Sequence, residues 1–233
     1  MKNDISKFIA GALLVVGLAA GTNAQAGFVD FTFDGGNDAT LGNPVVFGTA
    51  GYQVTAQGFY QSSPGSGSWL STNTQVARGA NALGVNRPGT AESGNQLDSS
   101  GTQVDGLLFD FGDVSWPSLR ITFSVRDVSD QMDIWVGDTF NASNSSPLAS
   151  QLLANSSLSS NNYDIASFNH RYLFIAAAND GNAEESCSAT GANCFRVTNI
   201  RAIPEPGSLA LLGLGLLAMG VPLRRRVLAK RQS

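Results

Sequence analysis

Few residues in this 233-residue chain carry reactive chemistry: one histidine, two cysteines and eighteen carboxylates. His170, beside Arg171, stands by itself. A triad histidine needs a nucleophile and an orienting acid that no motif here supplies, and no G-x-S-x-G elbow is present. Cys187 and Cys194 lie close together in a Gly/Asn/Ser segment, and a structural zinc site would need two further ligands nearby. Two acids across a groove would suffice for glycoside hydrolysis. The acids, however, fall mostly in turn-like segments such as Asp110 and Asp113, or Asp127, Asp130 and Asp133, where Asp forms turns and keeps them soluble. Calcium is the ion these residue types admit, because it takes hard oxygen ligands from loops. Asn95, Asp98 and Asp105 are the candidate ligands, although the D-x-D-x-D-G spacing is missing and the alternative is solvated loop carboxylates. Sugar contact would draw on Tyr60, Trp69, Trp116 and Trp135. Trp135 sits between Ile134 and Val136, so if these point inward its indole faces the other side, as a binding platform or as a lid on a second layer; core packing is the ordinary use of such rings. These residues read as a non-enzymatic protein without a cofactor, calcium aside.

The elements that must hold these residues are strands. Leu119, Ile121, Phe123 and Val125 alternate with polar residues, as do Met132, Ile134 and Val136, which predicts two half-buried strands and, across the polar turn 127–131, a β-hairpin. Further strands are expected at 28–33, 52–60, 106–111, 172–178 and 195–201, each bounded by Gly, Asn, Asp, Ser or Pro. Leu107-Leu108-Phe109 and Leu173-Phe174-Ile175 lack a polar alternate, as central strands covered on both faces do. Residues 147–158 read as a weak helix, an edge strand or a loop. The fold class expected is all-β, an antiparallel β-sandwich of jelly-roll type, with an immunoglobulin-like topology as the alternative.

Charge is segregated. Between Gly27 and Ile203 there are seven Arg and no Lys against thirteen Asp and three Glu, a strongly acidic body that repels nucleic acid backbones. The remaining basic residues lie in the ends. Lys2 and Lys7 precede an apolar run from Phe8 to Ala20, and Ala24-Gln25-Ala26 supplies small residues at both positions read by signal peptidase, predicting a signal peptide over 1–26. An exported chain meets an oxidising compartment, so Cys187 and Cys194 are expected to close one small disulfide loop. At the other end Pro204-Glu205-Pro206 precedes an almost wholly Leu/Ala/Gly stretch to Leu223, then Arg224-Arg225-Arg226. As a helix, 208–223 would be about 24 Å long, short for a hydrocarbon core of roughly 30 Å. The arginines would stay on the cytoplasmic side and stop transfer. Proline on both sides of Glu205 keeps the motif extended and accessible.

That order of motif, hydrophobic stretch and basic tail resembles the PEP-CTERM sorting signal of Gram-negative exported proteins. The spacing from Leu83-Gly84-Val85 through Asn95 and Asp98 to 106–111 is also similar to a β-sandwich module of such proteins. The resemblance divides the chain into a signal peptide (1–26), a β-sandwich domain (27–202), a sorting signal with a single hydrophobic helix (203–226) and a basic cytoplasmic tail (227–233). It implies recognition by an exosortase, transient anchoring in the inner membrane and delivery to the cell surface or extracellular matrix, in systems that accompany exopolysaccharide and biofilm production. The alternative is a secreted carbohydrate-binding module or carbohydrate-active enzyme.

Overall fold

A computed structural model describes residues 28–33, 39–49, 51–62, 67–79, 82–86, 96–100, 103–114, 116–124, 130–178 and 194–203. The signal peptide with Ala24 and Ala26, Asn95, Cys187, the Pro204-Glu205-Pro206 motif, the hydrophobic C-terminal helix and Arg224 to Arg226 lie outside them.

The described residues form β-strands and connections, with no helix. In chain order the strands are β1 (Val29–Thr32), β2 (Ala39–Gly42), β3 (Val45–Thr49), β4 (Tyr52–Gln61), β5 (Gln75–Gly79), β6 (Ala82–Asn86) and β7 (Leu97–Ser100). They continue with β8 (Gln103–Asp110), β9 (Ser118–Ser124), β10 (Gln131–Gly137), β11 (Ser150–Ser157), β12 (Asn162–Ile165), β13 (Tyr172–Ala177) and β14 (Cys194–Ile203). All pairings are antiparallel. One arm runs β3-β4-β8-β13-β10-β11; the other runs β12-β9-β14-β6-β5-β2, with β1 also on β14. β7 pairs with both β8 and β14, so the arms belong to one fourteen-stranded hydrogen-bonded sheet rather than to two separate sheets.

Alternation explains which residues fill the core. Phe31 and Phe33 leave β1 on the same face, two residues apart. Phe33 meets Phe47 and Phe109 with ring centroids 5.0 and 5.9 Å away, and Phe31 meets Trp116 and Phe111 at 5.8 and 6.1 Å. β1 hydrogen-bonds only to β14, so these rings show the sheet folding over a shared core. The Phe33–Phe109 pair is stacked and the other three are edge-to-face, arrangements that add roughly 0.5–1.5 kcal/mol per pair beyond burial. Cross-strand ion pairs fasten the outer surface: Arg201 donates to Asp30 at 2.8 and 3.1 Å directly across β14 and β1, and Arg120 to Asp164 across β9 and β12.

Three sequence expectations meet their outcome here. The unbroken apolar runs are central strands, as read: Leu107, Phe109, Leu173, Phe174 and Ile175 are fully buried, and Leu108 nearly so. The ambiguous stretch 147–158 contains an edge strand, β11, paired only with β10. The hairpin is corrected. β9 pairs with β12 and β14, whereas β10 pairs with β11 and β13. Both runs take partners on both edges, β12 and β14 for β9 and β11 and β13 for β10, which leaves neither an edge for the other.

Candidate functional site

The most developed polar site lies on one face of the β4-β8-β13-β10 arm. The register places Thr55, Asp110 and Tyr172 side by side, then Gln57, Leu108, Phe174 and Trp135 in the next row. Residues two apart share a face, so these rows form one surface. The opposite face carries Val54, Ala56, Phe109, Leu173 and Ile175 into the core.

Two connections cover part of that surface. Trp69 stacks edge-on against Phe174 at 4.6 Å, and Phe140, after β10, lies 4.9 Å from Phe59 and 5.8 Å from Phe174. The connections are tied to each other, because the Trp69 backbone N–H donates to Ala142 O at 2.6 Å and its indole to Ser145 O at 3.3 Å. Beneath them Gly106 has no side chain for a physical reason: a Cβ there would run into the Phe174 ring and come within 2.9 Å of Trp69 Cζ3.

Beside this aromatic cover the surface opens into a groove of about 390 Å³. Its floor is Thr55, Gln57, Leu108, Asp110 and Tyr172, and its walls are Pro44 and residues 138–140. A second hollow of about 320 Å³, on the side of Gly51 and Asp113, is also lined by Thr55 and Asp110. Pro44 belongs to the tight segment after β2, where the Asn43 amide donates to Gly58 O at 3.0 Å and Thr74 Oγ1 at 2.9 Å, and its carbonyl accepts from Gly58 N–H at 2.9 Å. That side chain satisfies β4 backbone groups as a neighbouring strand would.

Electrostatics at the groove centre on Arg171. Its Nε and Nη2 donate to the two oxygens of Asp110, both at 2.9 Å, and its backbone N–H donates to Asp138 Oδ1 at 3.0 Å. Gly112 N–H also donates to Asp110 Oδ1 at 2.8 Å, in a turn that Gly112 closes at φ +66°, a conformation that favours glycine. The Arg171 hydrogen bonds hold the Asp110 carboxyl below its ordinary value against the opposing effect of burial. Asp138 is likewise held low, first by the Arg171 N–H and then by His170, whose Nδ1 is 3.2 Å from Asp138 Oδ2. Arg171 in turn is held more firmly protonated by Asp110, and its guanidinium lies 5.0 Å from the Tyr172 ring centroid. Both groove acids are therefore carboxylates at neutral pH.

The sequence-derived candidates fall out differently. His170 is partnered by Asp138, and among the described residues no hydroxyl or thiol hydrogen-bonds to it. Trp69, Trp116 and Trp135 are all buried. Trp135 does face away from Ile134, and meets Phe174 at 5.7 Å beneath the aromatic cover. Tyr60 lies in β4, half-buried. The loop expected around Asp98 and Asp105 is corrected: Asp98 lies in β7 and Asp105 in β8, where Asp105 is fully buried and both are engaged in interactions of their own. Among the described residues no three His, Cys, Asp or Glu side chains gather as a metal site. Cys194 is disulfide-bonded and buried at the start of β14, its N–H donating to Asp130 Oδ1 at 3.3 Å. Asp138, Gln57 and Phe140 had no motif to mark them. The one available signal was Gly106 and the unbroken apolar run after it, which betray a strand covered on its outer face as well.

Residues 202–226 match the family of the PEP-CTERM protein-sorting motif, so the chain carries that motif. The match begins at Ala202, inside β14, with Ile203 the last residue of the strand. The motif marks the protein for export, exosortase processing and sorting to the cell surface. No curated protein matches the chain. Among solved structures it is similar to a rhamnosidase from Klebsiella oxytoca with rhamnose bound, at 13% identity and a TM-score of 0.30, over 81% of this chain and 31% of that one. The chain thus spans about a third of that protein's length, and a likeness so slight supports no statement about activity. Among the described residues no helix is long and apolar enough to cross a membrane.

Proposed function

We propose that this is an exosortase-sorted surface or matrix protein whose β-domain has a non-enzymatic structural, adhesive or polysaccharide-contacting role, of which the groove favours the last. The observation that carries the sorting half is the PEP-CTERM motif following directly on β14. β14 pairs with β1, β6, β7 and β9, so processing at Pro204-Glu205-Pro206 would release the domain at the end of a strand already locked into the sheet. Signal peptidase at Ala24 and Ala26, passage through the inner membrane, and a stop-transfer role for Arg224, Arg225 and Arg226 belong to the same reading.

The groove chemistry favours binding over catalysis. A glycosidase needs one carboxylic acid with a raised pKa to protonate the leaving oxygen. Asp110 and Asp138 are both shifted the other way, and Asp110 has both oxygens tied to Arg171. Expression of the full chain with Pro204, Glu205 and Pro206 changed to alanine, with and without an exosortase, tests the sorting. Wild-type chain should shorten and leave the membrane fraction only when the enzyme is present, and the variant should do neither. Identical fractionation of the two chains would defeat the reading.

A further inference from the structure

We infer that the two neighbouring hollows along β4 act as one binding site for an extended, uncharged glycan chain. The inference rests on the polysaccharide-contacting role proposed above and gives that role its site and ligand class.

Shape is the first argument. The two hollows, about 390 and 320 Å³, share Thr55 and Asp110 in their linings, so together they run beside the segment from Gly51 to Gln57 at the start of β4. At about 3.3 Å per residue this track is on the order of 20 Å long, which suits a linear chain better than one compact molecule. The lining is the second. The Thr55 hydroxyl and the Gln57 amide are half-buried in the floor, and neither side chain hydrogen-bonds to the protein among the described residues. They offer donors and acceptors to hydroxyl groups, while Tyr172 and Phe140 supply ring surface for the apolar faces of sugar rings, the mixture that orients a ligand in a shallow site.

Charge settles the class. Asp110, Asp113 and Asp138 border the track, and Arg171 beside it already has its guanidinium on Asp110. A polyanion such as a uronic acid polymer would meet these carboxylates and, among the described residues lining the two hollows, no cation to receive it, on a body of net negative charge. An uncharged chain meets no such barrier.

The test uses the purified full-length chain and affinity electrophoresis or calorimetry against neutral glucans, mannans and galactans, with alginate and polygalacturonate as acidic counterparts. Retention by at least one neutral polymer is expected, with affinity rising from monosaccharide to oligosaccharide, and with Gln57→Ala weakening it about two- to tenfold, the loss of one or two hydrogen bonds. A Thr55→Trp variant should block the track outright. Thermal melts and circular dichroism establish that both variants fold; a third variant, Gln57→Glu, keeps size and shape while adding a carboxylate. Binding of acidic polymers alone would overturn the ligand class. Neutral binding indifferent to all three variants would overturn the site while leaving the polysaccharide-contacting role intact, and no binding to any polymer would remove both, with the sorting result unaffected.

Discussion

At the scale of single residues, the groove depends on one ion pair and one missing side chain. Asp110 is held below its ordinary pKa of 3.8, chiefly by Arg171. A carboxylate lowered on folding contributes stability above its unfolded pKa and loses it as pH falls through the folded value. Arg171→Gln should therefore be less stable than wild type near neutrality, with the gap closing as pH drops below about 4 in urea titrations. The pair is exposed on the Arg171 side, so the effect should be small and weakened by salt. Gly106 tells a different story. Its replacement by alanine forces a methyl into the Phe174 and Trp69 rings, and overpacking of this kind costs about 1–3 kcal/mol. Denaturation should show that loss, together with a changed tryptophan emission spectrum as Trp69 shifts.

At the scale of elements, the question is what holds the edges. β4 is reached by β3, β8 and the Asn43 amide. Asn43→Ala removes three hydrogen bonds and leaves the Gly58 N–H short of a partner in a part-buried site, while Gly58 O keeps the Thr74 hydroxyl, which predicts a loss of about 1–3 kcal/mol in chemical denaturation. β11 and β12 each have a single partner strand. Their amides should exchange with solvent well before those of β8 and β13, an order that hydrogen exchange reads directly. Uniform exchange across all four would contradict the strand order. The long apolar strands were legible because their burial is written in contiguous residues. The short ones, β2, β3, β5, β7 and β12, were not, since four or five residues are too few to carry a pattern of their own and acquire strand geometry from the neighbour they pair with.

At the scale of the whole molecule, export and architecture converge on β14. The strand runs from the disulfide-bonded Cys194 to Ile203 and sits among four partners, so any event at either of its ends reaches the centre of the sheet. Reduction of the disulfide should lower stability by about 2 kcal/mol, the entropy of a short closed loop in the unfolded chain, without abolishing the fold, because the β14 ladders to β1 and β9 remain. Paired melts with and without reductant measure this, and an unchanged midpoint would mean that the bridge adds nothing to stability.

What the sequence by itself determined about this protein is its sorting motif and its all-β class. A proline-bracketed glutamate is read as a short linear peptide, and alternation at period two is local, so neither requires knowledge of what lies across the fold. Only the tertiary structure decided the partners: that β9 and β10 part company, that Asp105 is buried, and that Thr55, Asp110, Asp138 and Tyr172, scattered over more than half of the exported domain, line one groove. Strand pairing is a contest among distant edges of similar local character, and burial in a shared core, rather than proximity along the chain, selects the winner.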